Sequence, residues 1–429
     1  MKIKEWYSER KPTYIWKRAQ KLLTRYQFSS TKAVDRIDQC LRGLLIQDCA
    51  PTFLTPGSVV NRFPNYFRHL QEDGAEIAVH GFQHVDLNAY PKEIACEQLT
   101  KAVEAFKNNG LDVYGFRCPY LGCNDELLDA LPKGLFRYSS NNAIYWNVLD
   151  GINGNITNVV IETLRNLYQA RPSNDVISVP YARPNMLEIP VCLPDDMELI
   201  DGLNLSGDNM TEAWGNLLDQ TYQRGEMFTL IFHPELAALC EQSFHDVLSQ
   251  AKLKKPQVWV TKLCGISDWW AEKAGFRTEI TPTPTGIHIE FICSPRATIL
   301  LKNIEVDSSS IAWDSSYQRF LPRSLELPAS PRPFIGVSEN VSKEVATFLQ
   351  NQGYILDMTD QAHDCSIFLD KDTLAPLKNE VQLIDYIEGR TEPLIRYWRW
   401  PDGAKSALSI TGDLDALSLM DYLSRIYIT

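Results

Sequence analysis

The chain has 429 residues, 44% of them hydrophobic and 22% charged, with a formal net charge of −12. That length supports two or three domains with cores large enough to need no staples, and the acidic balance argues against nucleic acid or an anionic membrane surface as partner. The opening MKIKEWYSERKPTYIW has no apolar signal core, and no run reaches the roughly 18 apolar residues of a membrane span.

In chain order, Tyr14 to Tyr26 and Lys32 to Ile46 have helical spacing, the second with a stripe of Val34, Ile37, Cys40, Leu41, Leu44 and Leu45. Pro51 to Leu54 reads as a strand, Phe63 to Gln71 as a helix, Glu76 to Val79 as a buried strand, Ile94 to Asn109 as a helix and Val113 to Phe116 as a strand. This alternation predicts a parallel sheet or barrel covered by helices. Asp175 to Val179, Leu187 to Val191 and Phe228 to Phe232 read as further strands, and Val258 to Ala274 as a strand end with a closing helix. From Thr278 to Val306 polar and apolar residues alternate, as in a small antiparallel unit. Ser330 to Pro333 reads as a linker, Phe334 to Asp370 as a small α/β unit, and Ala404 to Thr411 as a buried strand with a short apolar helix after it.

The ten cysteines follow no framework spacing. Cys118 and Cys123, with four residues between them, match neither a CxxC redox pair nor half of a zinc knuckle. Free thiols in a cytoplasmic protein are the expectation.

Three strand ends carry polar groups suited to one site. His80-Gly-Phe-Gln-His84 follows the strand EIAV, and two imidazoles four apart at a strand end can hold a metal. Arg117, in GFRCPY, can hold a carboxylate through paired hydrogen bonds. His233 ends the strand LIF. The order GAEIAVHGFQHVDL, GFRCPY, LIFHPE resembles the polysaccharide deacetylase family (the NodB-homology domain, carbohydrate esterase family four) over about residues 30–275. The resemblance implies a distorted (β/α) barrel, one divalent metal held by two histidines and an aspartate, an aspartate base and a histidine acid.

The first motif of that family, an aspartate pair ending the first strand, is missing near the N-terminus. Asp35 and Asp38 fall on the polar side of a predicted helix and read as solvated. The sequence Gly412-Asp413-Leu414-Asp415 after AKSALSIT is similar to the missing motif, and a terminal strand could dock where the first strand belongs. The expectation is therefore a circularly permuted barrel: 1–275 as a barrel lacking its first strand, 276–330 as a small antiparallel β domain, 331–400 as a small α/β domain, and 401–429 as the strand and helix that complete the barrel. By resemblance, His80, His84 and Asp415 hold the metal, expected to be zinc, and Asp413 is the base. Arg117 orients Asp413, the Tyr120 N–H holds the oxyanion and His233 is the acid. The fourth motif matches poorly: Ser stands in FRYSSN where an acid belongs, and Glu188, Asp195 or Asp196 could replace it.

The implied activity is deacetylation of N-acetylated sugars in a polysaccharide or its precursor. Its alternatives are a metal-dependent hydrolase of a cyclic amide or small acylated amine, and an inactive glycan-binding relative. The oligomeric state is not legible.

Overall fold

The computed structural model describes residues 28–150, 152, 162, 165–166, 168–306 and 310–424; the helix expected over Tyr14 to Tyr26 lies outside them. Short apolar runs become strands where polar turns bound them: β1 (Thr52–Thr55), β2 (Glu76–Val79), β3 (Gly115–Phe116), β4 (Tyr138–Ser139), β5 (Ala143–Tyr145), β6 (Arg171–Pro172), β7 (Tyr181–Ala182), β8 (Leu187–Glu188), β9 (Val191–Leu193), β10 (Met227–Phe232) and β11 (Val258–Val260). Amphipathic helices alternate with them, among them Thr31–Ile46, Lys92–Asn108, Asp208–Gln223 and Ala237–Leu253. The first of these buries Ala33, Ile37, Leu41 and Leu44, its expected stripe.

Residues 277–397 add β12 (Arg277–Thr283), β13 (Gly286–Ile292), β14 (Ile299–Lys302), β15 (Ser310–Ala312), β16 (Gln318–Phe320), β17 (Ser324–Leu327), β18 (Arg332–Val337), β19 (Leu356–Met358), β20 (Cys365–Leu369) and β21 (Leu394–Tyr397). β12, β13 and β17 form one antiparallel sheet. β18, between β19 and β20, forms a parallel one. β21 pairs with β14, so the stretches before and after residue 330 share a hydrogen-bonded ladder.

The last strand, β22 (Ser406–Asp413), holds the main sheet together. The order is β10-β22-β1-β2-β3-β4-β8-β7, with β11 also on β22. All its pairings are parallel except β7 with β8, giving a curled, barrel-like α/β sheet. Leu408 and Ile410 of β22 enter the core under the helices, each worth about 1.5–3 kcal/mol of burial, while Thr411 and Asp413 alternate to the other face. Gly412 is required at this crossing: a Cβ there would lie 2.8 Å from the Phe53 ring of β1 and 3.0 Å from that of Phe232 on β10. The small sheet β6-β5-β9 lies beside β10, where Ile231 packs with Ala143, Tyr145, Val191 and Leu193.

Three expectations need correction. Residues Asp175 to Val179 form no strand. They run as a loop whose Ser178 N–H donates to the Glu226 carboxylate at 2.7 Å. Leu187 to Val191 is not one strand but the whole of β8 and the start of β9, in different sheets, parted at Pro190, which has no N–H for a ladder. Asp38 is not merely solvated: it accepts a hydrogen bond from Tyr66 Oη at 2.9 Å. No helix among the described residues is long and apolar enough to cross a membrane.

Candidate active site

The parallel strands point their C-terminal ends to one side of the sheet, where side chains from distant sequence positions meet. His80 follows β2, Arg117 follows β3, His233 follows β10, and Asp413 ends β22 with Asp415 two residues on. The ladder holds these ends in register, with His80 N–H on Thr55 O (2.9 Å), Arg117 N–H on Val79 O (2.9 Å) and Leu414 N–H on Leu54 O (2.8 Å).

His80 Nδ1 lies 2.9 Å from the Arg117 carbonyl. A carbonyl only accepts, so Nδ1 is the donor, and Nε2 faces the site. That Nε2 is 3.6 Å from Asp415 Oδ1, and His84 Nε2 is 3.0 Å from the same oxygen. The turn joining the histidines depends on Gly81, whose φ of +74° and near contact with the Gln83 carbonyl leave no room for a Cβ.

The donor atoms of His80, His84 and Asp415 all lie within 4.8 Å of one another. Two imidazoles and a carboxylate, with one imidazole oriented by a backbone carbonyl, fit a divalent metal ion.

Arg117 is fully buried. Its Nη1 donates to Asp413 Oδ1 at 2.7 Å and to Thr411 Oγ1 at 3.0 Å, and its Nε and Nη2 donate to Ser140 O and Oγ at 3.0 and 3.1 Å. The guanidinium is thus fixed on two sides and presents one nitrogen to Asp413, whose other oxygen lies 3.9 Å from His80 Nε2. Tyr120 follows on the same loop. Its ring meets His84 edge-on at 4.7 Å, and its backbone is left-handed (φ 59°, ψ 17°), a costly conformation for a bulky residue that clusters at functional sites.

On the opposite side, His233 Nδ1 is 2.8 Å from Asp196 Oδ1, and the His233 N–H donates to Asp196 Oδ2 at 2.7 Å. Burial pulls the His233 pKa down, but the charge and hydrogen bond of Asp196, with Asp415 after it, leave it raised well above the ordinary imidazole value. Asp195 plays another part: its N–H donates to Glu198 Oε2 at 3.2 Å, and its Oδ1 accepts the Glu198 N–H at 2.7 Å. Burial, then the neighbouring Asp196 charge, push it up to about 7.

All seven residues singled out from the sequence lie at this end of the sheet. Of the three acids left open, Asp196 is the one on the histidine. Glu188 is 0% exposed and accepts from Ser139 Oγ and from the Asn141 and Asn142 N–H groups at 2.7 and 2.8 Å, so it braces the end of β4. Asn141 and Ser140 were missed. Asn141 Oδ1 accepts the Cys118 N–H at 2.7 Å and so anchors the loop that carries Tyr120. The signal for both was their place directly after a strand on the face where the site lies.

Residues 30–138 match the family model described as polysaccharide deacetylase. Similar solved structures include a Mycobacterium smegmatis protein named for the polysaccharide deacetylases (20% identity, 60% of this chain and 83% of that one, TM-score 0.44). A Pseudomonas aeruginosa PAO1 protein is named likewise (18%, 57% and 74%, TM-score 0.42). An allantoinase is also similar (20%, 56% and 72%, TM-score 0.41). No curated protein matches the sequence. Over residues 30–138 the chain is therefore similar to the polysaccharide deacetylases.

Proposed function

We propose that the protein is a metal-dependent hydrolase that removes acetyl groups from N-acetylated sugars of a polysaccharide or its precursor. The observation that carries the reading is the meeting of His80, His84 and Asp415 beside the buried Arg117–Asp413 pair. His80, His84 and Asp415 would hold the divalent ion, with zinc the best match to two imidazoles and a carboxylate. Bound there, it would supply a Lewis acid for the acetamide carbonyl and lower the pKa of water.

The chain's own groups divide the proton work. Asp413, paired with Arg117 at 2.7 Å, takes the proton of the attacking water as base. His233, charged through Asp196, returns a proton to the departing sugar amine, so the products are acetate and a free amine. The Tyr120 N–H donates to the developing oxyanion. Shared strand ends across the two termini support a circular permutation, with β22 standing as the first strand of the barrel. Ten free cysteines support a reducing, cytoplasmic setting, and a precursor sugar suits that setting better than an extracellular polymer.

The test is acetate release from N-acetylated glucosamine oligomers, with metal added back after chelation. Release that depends on metal and is lost in Asp413→Asn supports the reading. A loaded, folded protein that releases acetate from none of them, yet opens a cyclic amide, would replace it with the alternative.

A further inference from the structure

The residues of the candidate metal centre come from distant parts of the sequence, and one short helix touches both. The helix Gly57–Arg62 follows β1 directly. At its start the Gly57 and Ser58 N–H groups donate to the Gly81 and Phe82 carbonyls, each at 2.9 Å. Those carbonyls belong to the turn between His80 and His84, so the helix fixes the histidine turn with N–H groups that a first turn leaves without partners inside the helix. Val59 and Val60 are buried and hold the helix against the core. At its end Arg62 forms an ion pair with Asp421 Oδ1.

Asp421 lies beyond Asp415, in the helix Leu419–Ser424. Its side chain is fully enclosed, while that of Arg62 is 40% exposed. Asp421 Oδ2 accepts from Ser418 Oγ at 2.8 Å and from the Leu417 N–H at 3.1 Å, and the Asp421 N–H donates to Ser418 Oγ at 3.3 Å. One carboxylate thus closes the turn after Asp415 with one oxygen and reaches Arg62 with the other. Before Asp415, the Leu414 N–H is held by Leu54 O of β1 at 2.8 Å. Asp415 is therefore pinned from both directions, by β1 and by the helix that β1 runs into. Ser58, Gln83, His84, Asp415 and Asp421 line one small cavity, which places the tether beside the ligands. Ala416 and Leu419 pack in a small cluster apart from the main core, and a segment with few buried apolar contacts opens locally before the whole fold does.

We propose that Arg62 and Asp421 are a positioning pair that holds Asp415 against His84, and that the affinity of the centre for its ion depends on this pair although neither residue is a ligand. The effect on affinity rests on the reading of His80, His84 and Asp415 as the metal ligands; the tether does not.

The experiment measures zinc affinity by competition with a chelating dye in wild type, Arg62→Met, Arg62→Lys and Asp421→Asn, with hydrogen exchange and melting temperature of the metal-free proteins alongside. Arg62→Met and Asp421→Asn should each bind about 10–100-fold more weakly, the loss typical of residues that orient a ligand. Arg62→Lys, which keeps the charge, should recover most of the affinity. Exchange at residues 414–424 should quicken in Arg62→Met, exchange at 76–84 should not, and the melting temperature should stay close to wild type. Because the two residues act as one pair, the double variant Arg62→Met with Asp421→Asn should lose no more than the larger single loss. Wild-type affinity in a folded Arg62→Met whose residues 414–424 exchange faster would overturn the proposal, since the pair would then hold the tail without serving the centre. Fully additive losses in the double variant would overturn it as well. A wild type that takes up no ion, while exchange at 414–424 still responds to Arg62→Met, would instead remove the metal reading and leave the tether standing, so the two failures are separable.

Discussion

β2 carries a buried carboxylate at one end and a histidine just past the other, and the two ends do opposite work. At its start, Glu76 is fully enclosed. Its Oε1 accepts from Tyr138 Oη at 2.8 Å, and its Oε2 accepts from Thr52 Oγ1 at 2.8 Å and from the Cys264 N–H at 2.9 Å. Every partner is a neutral donor, and burial raises its pKa. At the finish, His80 Nε2 faces Asp415 at 3.6 Å and Asp413 at 3.9 Å, with a charged arginine behind. A buried polar cluster that closes on itself holds a fold; one that leaves convergent donor atoms facing each other is built to receive something.

The largest effect should come from removing β22, which supplies Asp413 to the second of these clusters. Deleting residues 404–429 takes out β22, which pairs with β1, β10 and β11, and leaves open edges in the middle of the sheet. The truncated protein should be insoluble or unfolded by circular dichroism; a soluble, metal-binding truncation would sink the permuted barrel. Next is Asp413→Asn, which should lower kcat by about 10²–10⁴-fold with metal content and melting temperature close to wild type. An unchanged kcat would move the base elsewhere.

Asp196→Asn should act through His233. Because the His233 pKa is raised, the Asp196 contact stabilises the fold fully below the unfolded imidazole value and loses that contribution as pH rises through the folded value. The alkaline limb of the rate profile should therefore move to lower pH in the variant, with a smaller loss in kcat at acid pH than at alkaline pH. Equal loss at every pH would make Asp196 purely structural. The smallest effect expected is that of Glu76→Gln, which should cost about 1–3 kcal/mol through donors left poorly satisfied and leave metal binding intact. The sign of its pH dependence is set by burial. A raised folded pKa means stability is lost as pH rises through it, so the penalty should shrink at high pH, as urea titrations at several pH values would show.

The site was more legible than the fold around it. His80 and Arg117 could be found because each ends a short apolar run, where a parallel sheet gathers function, and His84 because it lies four residues after His80. Asp413 and Asp415 were legible through the same feature and through the missing aspartates elsewhere. Asp196 was left among three acids, because whether an acid meets His233 or braces β4 is decided by the crossing of β8 into β9, and no local pattern encodes that. A short strand failed for a related reason. β4, which was not read at all, has two residues, too few for a period-two pattern to emerge. Nor did composition reveal that β21 would return to pair with β14, a contact set by tertiary packing.

The most direct test of the account is metal content by elemental analysis of wild type, His80→Ala and Asp415→Ala, prepared in parallel, with Glu76→Gln as the buried-carboxylate control. One divalent ion per chain in wild type and Glu76→Gln, lost in both His80→Ala and Asp415→Ala, is the predicted result and joins the two ends of the sequence in one centre. Retention of the ion by a folded Asp415→Ala while His80→Ala loses it would contradict the account, because the C-terminal strand would then lie in the sheet without serving the site.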